Sequence, residues 1–575
     1  MRRQILITHI LLSSALILNA CGAEHNQTAD MQAAPKVKAV SETSSNDAAG
    51  IAGTGVTAPD APVETREIEP ASALGITARA VPGQPENFTA NIYPTQSLNT
   101  EIYAHSDDNP IKRAAEESVS TFSIDVDTGS YANLRRFLMN GQKPPADAVR
   151  VEEMLNYFSY DYKGPRDASI PFRADADVMT TPWNPNTKLL RLAIKGYQTP
   201  LDHRPAANLV FLIDVSGSMQ DQDKLPLLKA GMKMLVDQLD PEDKVSIVTY
   251  AGSAGLLLAP TPGSEKETIR AAIDGLDAGG STAGGEGIAL AYAKAREAKV
   301  EGGINRILLA TDGDFNVGVT DIDALKEMIE ENRKSGIALS TLGFGEGNYN
   351  DALMEQIADV GDGSYGYIDS LNEAKRQLVD GLQANIETIA KDVKVQIEFN
   401  PAVVAEYRLI GYENRALSRE DFNNDKKDAG EIGAGHNVTA LYEIALVGSK
   451  GLSTDPLRYQ DEGTTPDLPT KAEEFAFLRI RYKAPDGDAS KLIETPLPTA
   501  WLARDRPPVT DDNFAAAVAA FGQYLKGGDR LGSFGLGEIA SLARAGRGQD
   551  ESGERAEFIN LVELTEALNG TAAKN

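Results

Sequence analysis

The sequence predicts a doubly wound, mainly parallel α/β sheet, with β-rich and helical regions flanking it. Three observations predict this fold class. Between about residues 206 and 389, short apolar runs alternate with segments whose apolar residues recur every three or four positions. That is the pattern of buried strands joined by amphipathic helices. The clearest instance is Leu209-Val210-Phe211-Leu212-Ile213, then the turn Asp214-Val215-Ser216-Gly217-Ser218, then Leu225, Leu228, Met232, Leu235 and Leu239. From about Asp392 the period becomes two, as in Val393-Lys394-Val395-Gln396-Ile397-Glu398-Phe399, which marks antiparallel strands in a sandwich-like region.

Size and charge bound the rest. A chain of 575 residues is too long for one hydrophobic core and implies several domains. With 56 Lys and Arg against 84 Asp and Glu, the formal charge is −28. Nucleic acid is thereby disfavoured as a partner, because neutralising phosphates needs a basic surface. Polybasic attachment to anionic lipid is disfavoured for the same reason. The charge is compatible with binding divalent cations. The single cysteine, Cys21, rules out an internal disulfide or a cysteine-based metal site.

In chain order, Met1-Arg2-Arg3 and the apolar stretch from Ile5 to Leu18 have the charged and hydrophobic regions of a secretory leader. Leu18-Asn19-Ala20-Cys21 closes it and resembles a bacterial lipoprotein signal. That resemblance implies a leader over residues 1–20, cleavage before Cys21, and lipid on its sulfur and amine. The expected location is the cell envelope, on the periplasmic face of the outer membrane in a Gram-negative cell. Residues 21–85 are rich in Ala, Thr, Ser, Glu and Pro, and are expected to form a flexible tether.

Residues 86–180 turn globular. Ser120 to Asp127 alternates like a strand, and Asn133 to Asn140 and Arg150 to Phe158 have helical spacing. Asp125-Val126-Asp127-Thr128-Gly129-Ser130 resembles two catalytic motifs. An aspartic protease needs a second such loop, and the chain has none; an aspartyl-phosphate phosphatase has Thr or Val where Gly129 stands. A turn with side-chain-to-backbone hydrogen bonds is the expectation. Strands follow at Ala174 to Met179 and Leu189 to Ile194.

Within 206–389, strands are predicted at Leu209–Ile213, Lys244–Tyr250, Leu256–Leu258, Arg306–Ala310, Ile337–Leu342 and Ser364–Ile368. Helices are predicted at Leu225–Leu239, Glu265–Leu276, Gly284–Lys299, Ile322–Lys334, Asp351–Ala358 and Leu371–Ile389. Residues 390–575 hold strands at Val393–Phe399, Leu441–Val447 and Phe475–Tyr482. A helical stripe of Phe514, Val518, Phe521 and Leu525 comes next, and two more helices end near Leu568.

The chemistry gathers where parallel strands end. Asp214, Ser216 and Ser218 follow one strand, Thr282 precedes a helix in Gly279-Gly280-Ser281-Thr282, and Asp312 ends another strand in Thr311-Asp312-Gly313. Loops at the carboxyl edge of such a sheet converge, so these five oxygen side chains can surround one hard cation and leave a position open. Mg²⁺ suits that donor set, and zinc or copper suits it poorly.

Asp-x-Ser-x-Ser with a distant Thr and a distant Asp resembles the metal-ion-dependent adhesion site of von Willebrand factor type A (VWA) domains, over about Asn208 to Ile389. The resemblance implies a Rossmann-like fold and Mg²⁺, or alternatively Mn²⁺ or Ca²⁺. It implies Ser216, Ser218 and commonly Thr282 as direct ligands, with Asp214 and Asp312 often acting through water. The partner it implies is a protein that offers an Asp or Glu carboxylate. The flanks resemble a bacterial subgroup in which a short N-terminal region and a C-terminal domain of unknown function bracket the adhesion domain. Residues 119–131 and the stretch Gly433-Ala434-Gly435-His436-Asn437-Val438-Thr439-Ala440-Leu441-Tyr442-Glu443 carry that likeness.

The function expected is a membrane-anchored, non-enzymatic binding protein. The alternative is a metal-assisted or serine hydrolase of the envelope. Ser216 at a strand-to-helix turn suggests a nucleophile elbow, but that motif needs Gly two residues earlier, where Asp214 stands. A third reading is a structural envelope protein in which the metal is incidental. His436, among glycines before a strand, is expected to serve a hydrogen-bonded turn.

Overall fold

Strand Ala207–Asp214 is central to the parallel sheet, and all its residues are buried. Leu209, Phe211 and Ile213 face one side and Val210 and Leu212 the other, because successive strand side chains alternate. A strand covered on both faces has no polar face, which is why it reads as an unbroken apolar run. The computed structural model describes residues 99–200, 203–280, 284–313, 322–455, 473–504 and 508–572. The leader 1–20, Cys21, the tether 21–85 and Thr282 lie outside them. Among the described residues, no helix is long and apolar enough to cross a membrane.

The sheet runs Tyr365–Ile368, Ala338–Phe344, Ile304–Thr311, Ala207–Asp214, Lys244–Tyr250, Ala254–Pro262. Neighbours are parallel except the last pair, which is antiparallel. The sheet's first strand in chain order, Ala207–Asp214, therefore lies between its second and its fourth, and the winding reverses beside it. Helices Leu225–Asp237 and Lys266–Asp274, with residues 371–386, cover the Phe211 face. Helices Gly284–Glu297, Ile322–Arg333 and Asp351–Val360 cover the other. This is the doubly wound α/β fold.

One expected element differs. The helix predicted over Leu371–Ile389 breaks into Leu371–Lys375, a π-turn at Arg376–Asp380, and Leu382–Ile386. Gly381 N–H closes the wide turn onto the Arg376 carbonyl at 2.8 Å. Thr388 and Ile389 then belong to strand Thr388–Phe399, as suits β-branched side chains.

The flanking segments share their sheets. One sheet runs Lys112–Arg113, Val404–Ile410, Asn437–Leu446, Lys188–Gly196, Phe172–Thr180. The other runs Ala416–Leu417, Val119–Ser123, Thr388–Phe399, Glu474–Lys483, Ser490–Pro498. Both interleave strands from before and after the α/β unit. Between them lies an apolar core that includes Phe122, Leu192, Val395, Ile397, Tyr442 and Leu478. A helical layer formed by Gly129–Met139, Val151–Tyr157, Thr510–Lys526, Leu536–Ala545 and Glu554–Ala572 packs against the first sheet.

The Asp125–Ser130 motif joins these layers to the α/β unit. Asp125 Oδ1 accepts the Asp127 N–H at 2.7 Å, and Asp127 Oδ1 accepts the Tyr365 N–H at 2.7 Å. Arg415 bridges Asp125 Oδ2 at 3.3 Å and Asp127 Oδ2 at 3.1 Å. Gly129 is needed because a Cβ there would sit 2.1 Å from Tyr365 Cε1. The two carboxylates are thus engaged in a turn and in an ion pair that links the two flanking segments.

Candidate metal-binding site at the sheet switch point

Asp214 and Thr311 end the neighbouring parallel strands Ala207–Asp214 and Ile304–Thr311. Those strands flank the reversal in winding, the place where open α/β sheets bind ligands. The Thr311 hydroxyl donates to Asp214 Oδ2 at 3.0 Å, and the Ser216 N–H donates to Asp214 Oδ1 at 2.8 Å. Both carboxylate oxygens are therefore oriented. Asp214 and Asp312 are fully buried and Ser216 is 3% exposed, whereas Ser218 is exposed.

Ser216 Oγ and Ser218 Oγ lie 3.0 Å apart. Adjacent ligands of an octahedral ion with metal–oxygen distances of about 2.1 Å are separated by about 3 Å, so the two hydroxyls have the spacing of one octahedral edge. The loop leading to residue 282 is tied to the same turn. Gly279 N–H donates to the Val215 carbonyl at 2.7 Å, and Gly217 N–H donates to the Gly280 carbonyl at 3.1 Å. Gly280, at φ +93°, and Gly313, at φ +88°, adopt left-handed backbone that other residues seldom take. Four of the five oxygen side chains named from sequence thus lie at one turn and its neighbouring strand end. The fifth, Thr282, is outside the described residues.

Two buried carboxylates in one place are costly without positive charge. Burial pushes the Asp214 carboxyl up to about 6, its hydrogen bonds with Ser216 oppose this, and Asp312 raises it further. Lys224 answers part of the charge. It is 5% exposed and its ammonium donates to Asp312 Oδ2 at 3.0 Å. It sits just before helix Leu225–Asp237, packed so closely on Gly345 that a Cβ there would lie 2.0 Å from Lys224 Cε. Paired carboxylates, two hydroxyls at octahedral spacing and only oxygen donors fit a hard divalent cation. Sequence reasoning missed Lys224 and Thr311 as parts of the site. Thr311 stood beside Asp312 in the motif, but nothing local shows that it bonds Asp214. Lys224 reaches Asp312 across 88 positions of sequence.

The fold and this turn define a VWA-domain protein, and a family model for the von Willebrand factor type A domain matches residues 208–380. A model described as von Willebrand factor matches residues 97–191, and one for the C-terminal region of the uncharacterized protein YfbK matches 384–568. The chain is 48% identical over 475 residues to the uncharacterized protein YfbK of Escherichia coli K12, covering 82% of each chain. It belongs to the YfbK family. Among solved structures it is similar to a von Willebrand factor type A protein from Catenulispora acidiphila, with 16% identity and TM-score 0.37 over 68% of this chain and 88% of that one. It is also similar to the conserved hypothetical protein BatB from Bacteroides thetaiotaomicron, with 24% identity and TM-score 0.27 over 31% and 97%. VWA domains commonly mediate protein–protein interaction and often hold a divalent metal, so the class is that of an adhesion-type domain.

Proposed function

We propose that this protein is a non-enzymatic, membrane-anchored binding protein of the bacterial cell envelope. In this reading Asp214, Ser216, Ser218, Thr282 and Asp312 hold Mg²⁺, and the ion's open position takes an Asp or Glu carboxylate of a protein partner. Lipid on Cys21 anchors the chain, and residues 21–85 give it reach. The observation that carries the reading is the Asp214 turn. Its oxygens are preset by Thr311 and by the Ser216 N–H, beside a second buried carboxylate. A bound cation would supply directional, charge-assisted attraction for a carboxylate, and the surrounding loops would supply specificity. The hydrolase alternative is less favoured because the Ser216 Oγ contact is with the Ser218 hydroxyl, which is not a base.

The test is a pull-down from envelope extract with and without EDTA, comparing wild type with Asp312→Ala. The expected outcome is a partner captured by wild type, lost with EDTA and lost in the variant, while thermal unfolding shows that the variant stays folded. Calorimetry should show Mg²⁺ binding abolished in both Asp214→Ala and Asp312→Ala. Undiminished Mg²⁺ affinity in the two variants would sink the reading. Turnover of an ester or phosphate panel, lost in Ser216→Ala, would instead establish the hydrolase.

A further inference from the structure

Away from the Asp214 turn, a cavity of ≈ 860 Å³ lies where residues 371–386, the first mixed-origin sheet and the helical layer meet. That volume is within the range of small-molecule sites. Its most unusual wall is a cross-strand pair. Lys195 and Asn437 are directly opposite each other in the antiparallel ladder of Lys188–Gly196 with Asn437–Leu446. Their side chains therefore share one face, and His436 adjoins them.

Three polar groups here lack full internal partners. Lys195 donates to the Gly435 carbonyl at 2.6 Å, which uses one of its three protons, and among the described residues no carboxylate pairs with it. Burial alone lowers its pKa. His436 Nδ1 accepts the Gly433 N–H at 3.1 Å, so the ring's proton is on Nε2, which is left as a donor. Asn437 Oδ1 is buried and accepts no hydrogen bond from the described residues. Such groups cost free energy unless something satisfies them.

The charges lining the cavity balance, Lys195, Arg204 and Arg376 against Asp240, Asp380 and Glu554, and those that act on His436 are of one sign. Burial pushes His436 down to about 3, and the charges acting on it are Lys195, Arg306 and Arg376, all cationic. The carboxylates that line the cavity are already paired. Asp240 is held by Arg204 at 2.6 Å, Asp380 by Lys375 at 2.5 Å, and Glu554 by Arg376 at 3.3 Å.

We infer that this cavity binds a small organic oxyanion, a carboxylate or a phosphate. Lys195 and His436 Nε2–H donate to the anion. The site gives His436, which the adhesion site leaves unused, a role, and it needs no metal.

The experiment titrates the full chain in EDTA, by calorimetry, with glycerate, glycerol 3-phosphate and neutral glycerol. EDTA removes the adhesion site from the readout, so the two proposals fail separately. The expected result is binding of at least one anion and none of glycerol. Loss of a charge-assisted hydrogen bond in Lys195→Met should weaken that binding about tenfold or more. Glycerate alone binding identifies a carboxylate site, and glycerol 3-phosphate alone a phosphate site. In wild type, the bound anion should also protect Lys195 from acetic anhydride, read by peptide mass spectrometry; this arm decides if the variant does not fold. The inference is overturned if neither anion binds, if glycerol binds equally, if Lys195→Met binds as wild type, or if Lys195 is labelled equally with and without anion.

Discussion

Lys224 is the residue whose role depends most on geometry. Its ammonium lies 3.0 Å from Asp312 Oδ2 inside a site that would otherwise hold only carboxylates and hydroxyls. A divalent cation at the Asp214 turn would share Asp312 with that ammonium, so the two positive charges oppose each other. Lys224→Met removes the resident cation. In EDTA, breaking a buried pair of this kind should lower stability by about 3 kcal/mol. Adding Mg²⁺ should then raise the melting temperature more in the variant than in wild type, since a ligand bound only by the folded state stabilises it by an amount that grows with the logarithm of its affinity. An equal or smaller Mg²⁺ gain in Lys224→Met would show that the lysine does not oppose the ion.

At the scale of elements, the helical layer is built on aromatic edges. Phe158, Phe514, Phe521 and Phe558 pack edge-to-face with ring centroids 4.9 to 5.6 Å apart. They draw helices Thr510–Lys526 and Glu554–Ala572 onto the end of Val151–Tyr157. Phe558 touches the other three rings and is fully buried. Phe558→Ala should cost about 3–5 kcal/mol in urea denaturation, with faster hydrogen exchange concentrated in Glu554–Ala572. The stripe of Phe514, Val518, Phe521 and Leu525 was legible in sequence from its spacing. Phe158 was legible too, as part of the Arg150 to Phe158 stripe, but that it and Phe558 cover this one was not, because periodicity identifies the face that is buried and not what covers it. The break in residues 371–386 was hidden for a related reason. Arg376 reads as an ordinary helix former, yet its side chain is drawn to Glu373, to Glu554 and to the Tyr157 carbonyl.

Across the whole molecule, buried charge fastens the α/β unit to its flanks. Arg150 joins Asp351 at 2.6 Å, Arg135 joins Asp369 at 2.5 Å and Glu373 at 2.9 Å, and Arg415 joins Glu355 at 3.3 Å. Carboxylates outnumber the arginines at this junction, and the excess shows in Glu152. Burial, then the nearby Glu413 and Asp125, push Glu152 up to about 8, although it accepts the Tyr412 N–H. Its folded pKa thus exceeds its unfolded value of 4.5, and the native state binds more protons between those limits. The Glu152 contribution to stability should therefore fall as pH rises from about 4.5 to about 8 and level off above. Glu152→Gln keeps an acceptor for Tyr412 and removes the ionisation. Urea denaturation at pH 5.5 and pH 8.5 should show a smaller loss with rising pH in Glu152→Gln than in wild type. Equal losses would mean that Glu152 does not titrate in this window.

The sequence by itself determined the α/β class, the order of strands and helices in residues 206–389, and the Asp214 turn with Asp312 as its distant partner. Each rests on local order: a strand buried on both faces must be apolar throughout, and a helix with one buried face must repeat every three or four residues. Only the tertiary structure decided that strands from before and after the α/β unit interleave in shared sheets, as Val119–Ser123 does with Thr388–Phe399. It alone placed Lys224 on Asp312, and Lys195 opposite Asn437. These are pairings between residues far apart in the chain. Their partners are chosen by how whole layers pack, and periodicity carries no record of that choice.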